Sequence, residues 1–283
     1  MIAQTLPNYD LVNKFQQVRR KLISLNNLSQ PGVWVEQQLY PIIAQLWPDE
    51  PILPRWLLKT HFEDSSDGHR ILPYGNIQVL PADFVILNGL DGLSFYQRNL
   101  FRESVIMTCR VQDGKPVASV VLMLDRYDIF HTGIFANPGV HHGPLPIDDW
   151  RKPQYLLGDM MIGIDARPVV SHEFRNLVVL KFLQNEGVAY TLPAPPGAGA
   201  MGVLGGQFVA YIAYHPSLCD IAATAALCLA AGMIVCHLDG SAIDWRRMQL
   251  SFPVVFARNT ESFHFIRTQA KEYLEVMQEA HAY

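Results

Sequence analysis

Charge is what this chain has least of. Only 17% of its 283 residues are Asp, Glu, Lys or Arg, against about 25% in ordinary soluble domains. The balance is slightly acidic, with a formal net charge of −4. No basic field is therefore available to hold a nucleic-acid backbone or an anionic membrane face, and neither is expected as a partner. The shortage is not that of a disordered chain, because 49% of the residues are hydrophobic. Cysteine is also scarce. Cys109, Cys219, Cys228 and Cys236 form no Cys-x-x-Cys pair, and three of them lie in an apolar stretch. They are expected as free, buried thiols of a reducing compartment rather than a disulfide or zinc framework. No apolar run reaches the roughly 18 residues that a membrane helix needs; the nearest is Ile221 to Val235. The N-terminal stretch MIAQTLPNYDLVNKFQQVRRKL lacks the apolar centre of a signal peptide. The expectation is a cytoplasmic protein without a membrane partner.

What the chain does have is periodicity. Leu11, Phe15, Val18 and Leu22 recur at helical spacing within Tyr9–Leu25, and a second helix is expected over Val33–Leu46, stopping at Trp47-Pro48. Pro48–Pro73 is punctuated by proline, and its polar run Glu63-Asp64-Ser65-Ser66-Asp67-Gly68 reads as an exposed loop. Phe84-Val85-Ile86-Leu87 suits a strand buried on both faces. Ser104–Val111 and Val117–Leu124 flank Asp113-Gly114, a strong hairpin signal. Ile129–Phe135 extends this into a meander, and Pro138–Pro153 reads as loop. Beyond it, strands are expected at Leu156–Ile164, Gly187–Thr191, Val209–Tyr214, Ile234–His237 and Val254–Ala257. Helices are expected at His172–Gln184, through Leu204 after a break at Pro193–Gly199, at Leu218–Ala231 and at Glu261–Glu279. The order predicts a layered α/β (α+β) protein in two halves, helices plus an antiparallel meander over 1–153 and an α/β half over 154–283.

One segment carries a resemblance. Phe84-Val85-Ile86-Leu87-Asn88-Gly89-Leu90-Asp91-Gly92-Leu93-Ser94-Phe95 ends a buried strand in a turn with an acid followed by glycine. It resembles the Asp-Pro-Ile/Leu-Asp-Gly-Thr/Ser motif of the inositol monophosphatase superfamily. Asp113-Gly114-Lys115-Pro116 stands where that family has a tight turn. Gly205-Gly206-Gln207-Phe208-Val209-Ala210-Tyr211-Ile212 is similar to its Gly-x-x-Asp-Ala-Tyr strand entry. Cys219-Asp220-Ile221-Ala222-Ala223-Thr224 is similar to its Trp-Asp-x-Ala-Ala-Gly helix start, and Ala230-Ala231-Gly232-Met233 to the Glu-Ala-Gly-Gly that ends this helix. The pieces keep the family's order from about Val33 to Ile266. The resemblance implies a sandwich of alternating helix and sheet layers, Mg²⁺ as cofactor, and a small phosphorylated molecule as ligand. It also implies a homodimer, for which the Trp150 and Tyr155 region is a candidate surface.

Carried over residue by residue, the resemblance assigns metal binding to Asp91, Asp220, Asn88 and the carbonyl of Leu90. Gly92 and Leu93 fall at the substrate phosphate, and Asp91 and Ser94 are the candidate catalytic residues, Ser94 lying one position past the family's hydroxyl. Two of four expected acids have changed: Arg55 stands where the family's Gly-Glu-Glu loop supplies a Glu, and Asn88 replaces the first motif Asp. The hydroxyl position is Leu93. Mg²⁺ is a hard cation that wants carboxylates, and it is what polarises the phosphate in this chemistry. Unit charges 4 Å apart interact by about 4 kcal/mol at an effective dielectric of about 20, so losing two carboxylates and gaining a guanidinium removes several kcal/mol of metal binding. The substrate side has changed too: Ala194-Pro195-Pro196-Gly197-Ala198-Gly199 replaces a Gly-Ser/Thr-Ala segment, proline offers no N–H, and Ala213 stands where an acid is common. The reading is an inositol-monophosphatase-like protein with a degraded Mg²⁺ site, lacking standard phosphomonoesterase activity, with a binding role or altered chemistry in the same cleft. The alternative is an active phosphatase on a sugar-, inositol- or nucleotide-type phosphomonoester, with one Mg²⁺ on Asp91 and Asp220 helped by Glu63 or Asp64.

Structural roles compete with several of these. Ser217-Leu218-Cys219-Asp220 is also a helix-capping start, with the acid complementing the helix dipole. Asp91-Gly92 and Asn88 also read as turn residues. His141-His142 reads as a solvated loop, His237 as a core histidine, and Arg167, His172, Glu173 and Arg175 as a solvated helix face capped by Ser171. Ser94 has no His-Asp context, and Gly197–Gly206 lacks the Lys-Ser/Thr ending of a phosphate loop.

Overall fold

Two helices open the chain, each with one apolar stripe. A computed structural model describes residues 6–25, 28–57, 71–74, 79–97, 104–125, 128–134, 139–142, 145–146, 161–165, 171–184, 189–192 and 195–281. Helix α1 (Leu6–Ser24) buries Leu11, Phe15, Val18 and Leu22. Helix α2 (Pro31–Leu46) starts on a proline, whose fixed φ suits the first turn, and buries Val35, Leu39 and Ile43. The expected loop over Glu63–Gly68, the Trp150 and Tyr155 surface, and Arg167 lie outside the described residues.

The first sheet takes its strands in chain order: β1 (Ile52–Pro54), β2 (Phe84–Asp91), β3 (Val105–Gln112), β4 (Lys115–Met123), β5 (Ile129–Thr132), β6 (Val140–His142) and β7 (Leu145–Pro146). β1 runs parallel to β2, and the other pairs are antiparallel. The hairpin between β3 and β4 turns on Asp113 and Gly114, whose φ values of 50° and 66° are those a type I′ turn demands. β2 runs four residues past the expected apolar stretch. Its register against β3 shifts between Asn88 and Asp91, and Gly92, at φ 87°, ends it before the single turn α3 (Leu93–Tyr96).

Pro138–Pro153 is not simply loop, since it contains β6 and β7. Cross-strand pairing overrides the Gly and Pro signals: His131 pairs with His141 across β5 and β6, and their rings stack with centroids 5.0 Å apart. His141 is therefore buried rather than solvated, while His142 is exposed and meets Asp128 at 2.7 Å.

The second sheet contains β8 (Ile162–Asp165), β9 (Ala189–Leu192), β10 (Ala210–Ala213), β11 (Ile234–His237) and β12 (Val254–Ala257), in the order β11-β12-β10-β8-β9. The expected helix over 172–184 is built from α4 (His172–Phe174), a π-helical stretch at Arg175–Val179 and α5 (Leu180–Gln184), and the Ser171 hydroxyl caps its start by accepting from the Phe174 N–H. Helix α6 (Pro196–Leu204) begins inside the expected break, because Pro196 occupies a first-turn position where no N–H is required. Helix α7 (Leu218–Ala230) follows β10. The last expected helix is two, α8 (Thr260–Gln269) and α9 (Lys271–His281), with the chain turning at the buried Ala270 so that Tyr273 packs edge-on against Phe174.

Three cores hold five layers together, the central one packing both faces of α6 and α7, and the alternation along β2 shows how. Val85 and Leu87 face α1 and α2, while Phe84 and Ile86 face α6 and α7 on the other side. The second sheet's Tyr211 and Phe256 also meet α6 and α7, and its Ile162, Ile212 and Val255 face the helices of 172–184, α8 and α9. The architecture is the layered α+β sandwich expected. All four cysteines are free, Cys236 half-buried and the rest buried. Burial pushes the Cys219 and Cys228 thiols up to about 12, so both stay protonated and unreactive. No helix among the described residues is long and apolar enough to cross a membrane.

Candidate functional site

Four segments far apart in sequence converge at the end of β2. Asn88 is fully buried, and its Nδ2 donates to the Cys219 carbonyl at 3.0 Å, tying the strand end to the first turn of α7. Its Oδ1 is buried with no partner among the described residues. Asp91 is buried three residues on, and its Oδ2 accepts from the Gly197 N–H at 3.4 Å. A side chain at Gly197 would be crowded. A Cβ on Gly197 would lie 3.1 Å from Asp91 Oδ2 and 3.0 Å from the Asp220 carbonyl oxygen, so α6, α7 and β2 meet at this one residue.

Arg55, directly after β1, completes the cluster. Its Nη1 makes an ion pair with Asp220 Oδ1 and reaches the Ser217 hydroxyl at 3.5 Å, and the Tyr74 hydroxyl approaches that same oxygen at 3.4 Å. The guanidinium lies 5.6 Å from the centre of the Trp56 ring and 5.9 Å from that of Tyr74, within cation–π range of both. Its side chain keeps 23% of its surface exposed, and that of Asp220 only 6%. The capping reading holds for the positions of Ser217 and Asp220 and fails for the hydroxyl. Ser217 is the residue before α7, but its hydroxyl makes no cap hydrogen bond. Asp220 does sit in the first turn, and there it faces Arg55.

The structure thus brings together Asn88, Asp91 and Asp220. Their carboxylate and amide oxygens are the hard donors a metal would use. Leu90 sends its side chain into the α1/α2 core, Gly92 and Leu93 form the turn after the strand, and Ser94 is exposed on α3. His237 is half-buried at the end of β11, against the Phe252 ring, rather than in a core.

The residue that the sequence reading missed is Glu36, fully buried on α2. Its Oε1 accepts from the N–H groups of Arg55 (3.1 Å) and Gly89 (3.0 Å), and its Oε2 from those of Trp56 (2.9 Å) and Leu57 (2.7 Å). Burial pushes its carboxyl up to about 7, against the opposing pull of those four backbone donors. The available signal was its place among buried Gly32, Val35, Leu39 and Tyr40, where an acid has no solvent. Close approach depends on glycine again: a Cβ on Gly89 would come within 2.5 Å of the Gly32 carbonyl oxygen and 2.6 Å of Glu36 Cγ. Gly89→Ala is therefore expected to destabilise the protein by about 1–3 kcal/mol, as overpacking does, read as a lower urea midpoint at unchanged slope.

No family model matches this chain, and no curated protein matches it in sequence. Solved structures do. A dual-specific IMPase/NADP phosphatase bound with D-inositol-1-phosphate is 18% identical, with a TM-score of 0.66 over 89% of this chain and 90% of its own. The extragenic suppressor protein SuhB from Bartonella henselae is 14% identical, with a TM-score of 0.68 over 93% and 98%. An IMPase/NADP phosphatase complexed with Mg²⁺ and phosphate is 19% identical, with a TM-score of 0.62 over 84% and 80%. The chain has the inositol monophosphatase fold, as the motif resemblance implies.

Proposed function

We propose that this chain is a divergent member of the inositol monophosphatase superfamily whose cleft has lost its standard Mg²⁺-dependent phosphomonoesterase chemistry. In this reading the cleft serves as a binding site for a small molecule, of phosphorylated type, or carries altered chemistry. One observation carries the reading: the guanidinium of Arg55 is paired with Asp220, the acid that the resemblance assigns to the metal. Asn88 contributes an amide in place of a second carboxylate, and among the described residues no group of three or more His, Cys, Asp or Glu is placed to hold an ion. The described residues therefore do not fit a pair of Mg²⁺ ions. A divalent ion at Asp220 would have to displace an internal cation, and among the described residues Asp91 would remain as the other carboxylate at the strand end. Similar structures hold D-inositol-1-phosphate, and Mg²⁺ with phosphate, which supports a small phosphorylated ligand class for this cleft. By the same resemblance the assembly is a homodimer, which light scattering reads directly.

A second reading, an active Mg²⁺-dependent phosphatase, draws on the unpartnered Asn88 Oδ1, a buried oxygen that an ion would satisfy. Calorimetry with Mg²⁺ or Mn²⁺, beside a turnover assay on sugar, inositol and nucleotide phosphomonoesters, separates the two. The expected result is no saturable binding at millimolar metal and no turnover, with metal affinity appearing in the double variant Arg55→Glu, Asn88→Asp. Turnover that Asp91→Ala abolishes would establish the second reading instead.

A further inference from the structure

The placement of Arg55 is not a property of its own side chain. Three successive N–H groups, those of Arg55, Trp56 and Leu57, turn inward onto the two oxygens of one buried carboxylate. The Arg55 N–H is shared with the Leu87 carbonyl at 3.0 Å, so the start of this turn is fixed to β2 as well. With its backbone N–H groups committed to the α2 side, the turn carries the Arg55 guanidinium to Asp220 on α7, across the end of the sheet. Glu36 also holds Gly89, next to Asn88 at the point where the β2 register shifts. The same carboxylate therefore fixes both the segment that carries the cation and the strand end that carries Asn88 and Asp91. Room for this exists only because Gly32, one helical turn before Glu36, lacks a side chain: a Cβ there would lie 2.7 Å from the Trp56 ring. A buried acid in an apolar helix face costs free energy, and stability alone would be served by an apolar residue and a hydrogen-bonded turn.

We propose that Glu36 is the positioning residue of the cleft, the group that orients the 55–57 turn so that the Arg55 guanidinium is delivered to Asp220. The inference rests on reading Arg55 as the cation resident in the cleft. It makes a prediction that a purely structural role for Glu36 does not: loss of the carboxylate changes the surroundings of Arg55 and Trp56 in a protein that remains folded.

The experiment uses the full chain labelled with 5-fluorotryptophan, with the Trp56 ¹⁹F resonance assigned by Trp56→Phe. Arg55 modification by phenylglyoxal is followed in parallel by peptide mass spectrometry. Glu36→Gln keeps the side-chain size but presents an NH₂ group to two N–H donors. It is expected to shift the Trp56 resonance and raise the Arg55 modification rate at least tenfold. Leu39→Ala, a cavity variant on the same helix, is expected to leave the resonance in place and the rate within twofold. Where Glu36→Gln does not fold, Glu36→Asp, one methylene too short to reach all four donors, carries the same two outcomes. Equal changes in the Leu39→Ala and Glu36 variants, or none in the latter, would overturn the proposal. Both readouts are taken without metal or phosphoester, so they are independent of the turnover assay that tests the cleft's loss of Mg²⁺ chemistry.

Discussion

Replacing Arg55 with methionine is expected to cost about 2–4 kcal/mol of stability. Removing one partner of a buried ion pair typically costs about 3–5 kcal/mol, because it leaves a charge without compensation. The figure is discounted here because the Arg55 side chain is 23% exposed. Methionine fills much of the same space and keeps a favourable contact with Trp56 and Tyr74, each worth of the order of 1 kcal/mol or less. The loss therefore falls on Asp220, whose side chain is only 6% exposed. Adding Asp220→Asn is expected to recover most of the deficit, since a neutral pair of similar volume needs no counter-charge. Urea titrations of the two single variants and the double variant read the coupling directly. Strict additivity would mean that the Arg55–Asp220 pair contributes nothing to stability.

The second large effect is on pH dependence, and it comes from Glu36. Its carboxyl lies at about 7 in the folded chain and near 4.5 as a free side chain. The folded state thus holds this proton more tightly than the unfolded state does. The stability it contributes is fully present below about pH 4.5 and is lost as pH rises through about 7, up to about 3 kcal/mol in all. Glutamine does not titrate. The stability difference between wild type and Glu36→Gln is therefore expected to fall by most of that amount, about 2.5 kcal/mol, between pH 5 and pH 8, measured by urea unfolding. A flat difference would show that the four backbone N–H groups keep the carboxyl ionised throughout.

Much of this architecture was legible in local pattern. The continuous apolar run at 84–87 predicted a strand buried on both faces, and Asp113-Gly114 predicted the turn whose positive φ values the structure contains. What failed depended on distant partners. β6 pairs along the edge that β5 offers it, and the break at Ala270 goes with the packing of Tyr273 against Phe174. The site divides in the same way. Asn88, Asp91 and Asp220 could be located by motif because they follow short, ordered signatures. Arg55 could be placed by counting from Trp47-Pro48, but its pairing with Asp220 could not. Ser217 looked like a cap because Ser-x-x-Asp is a local signature, yet its hydroxyl meets Arg55 and Tyr74, respectively 162 and 143 residues earlier. Glu36 carried no motif at all, and only the three-dimensional arrangement gives an acid at that position its four donors.

The links that build this cluster have a kinetic consequence. Asn88 meets Cys219 across 131 residues of chain, Asp91 meets Gly197 across 106, and Arg55 meets Ser217 across 162. The β3–β4 hairpin, by contrast, closes through a two-residue turn. Long closures cost entropy before their contacts repay it, so such contacts tend to form late. In pulse-labelled hydrogen exchange during refolding, the amides of the hairpin are expected to gain protection before that of Gly197. The cluster at the end of β2 is thus expected to assemble after the local hairpin that lies beside it.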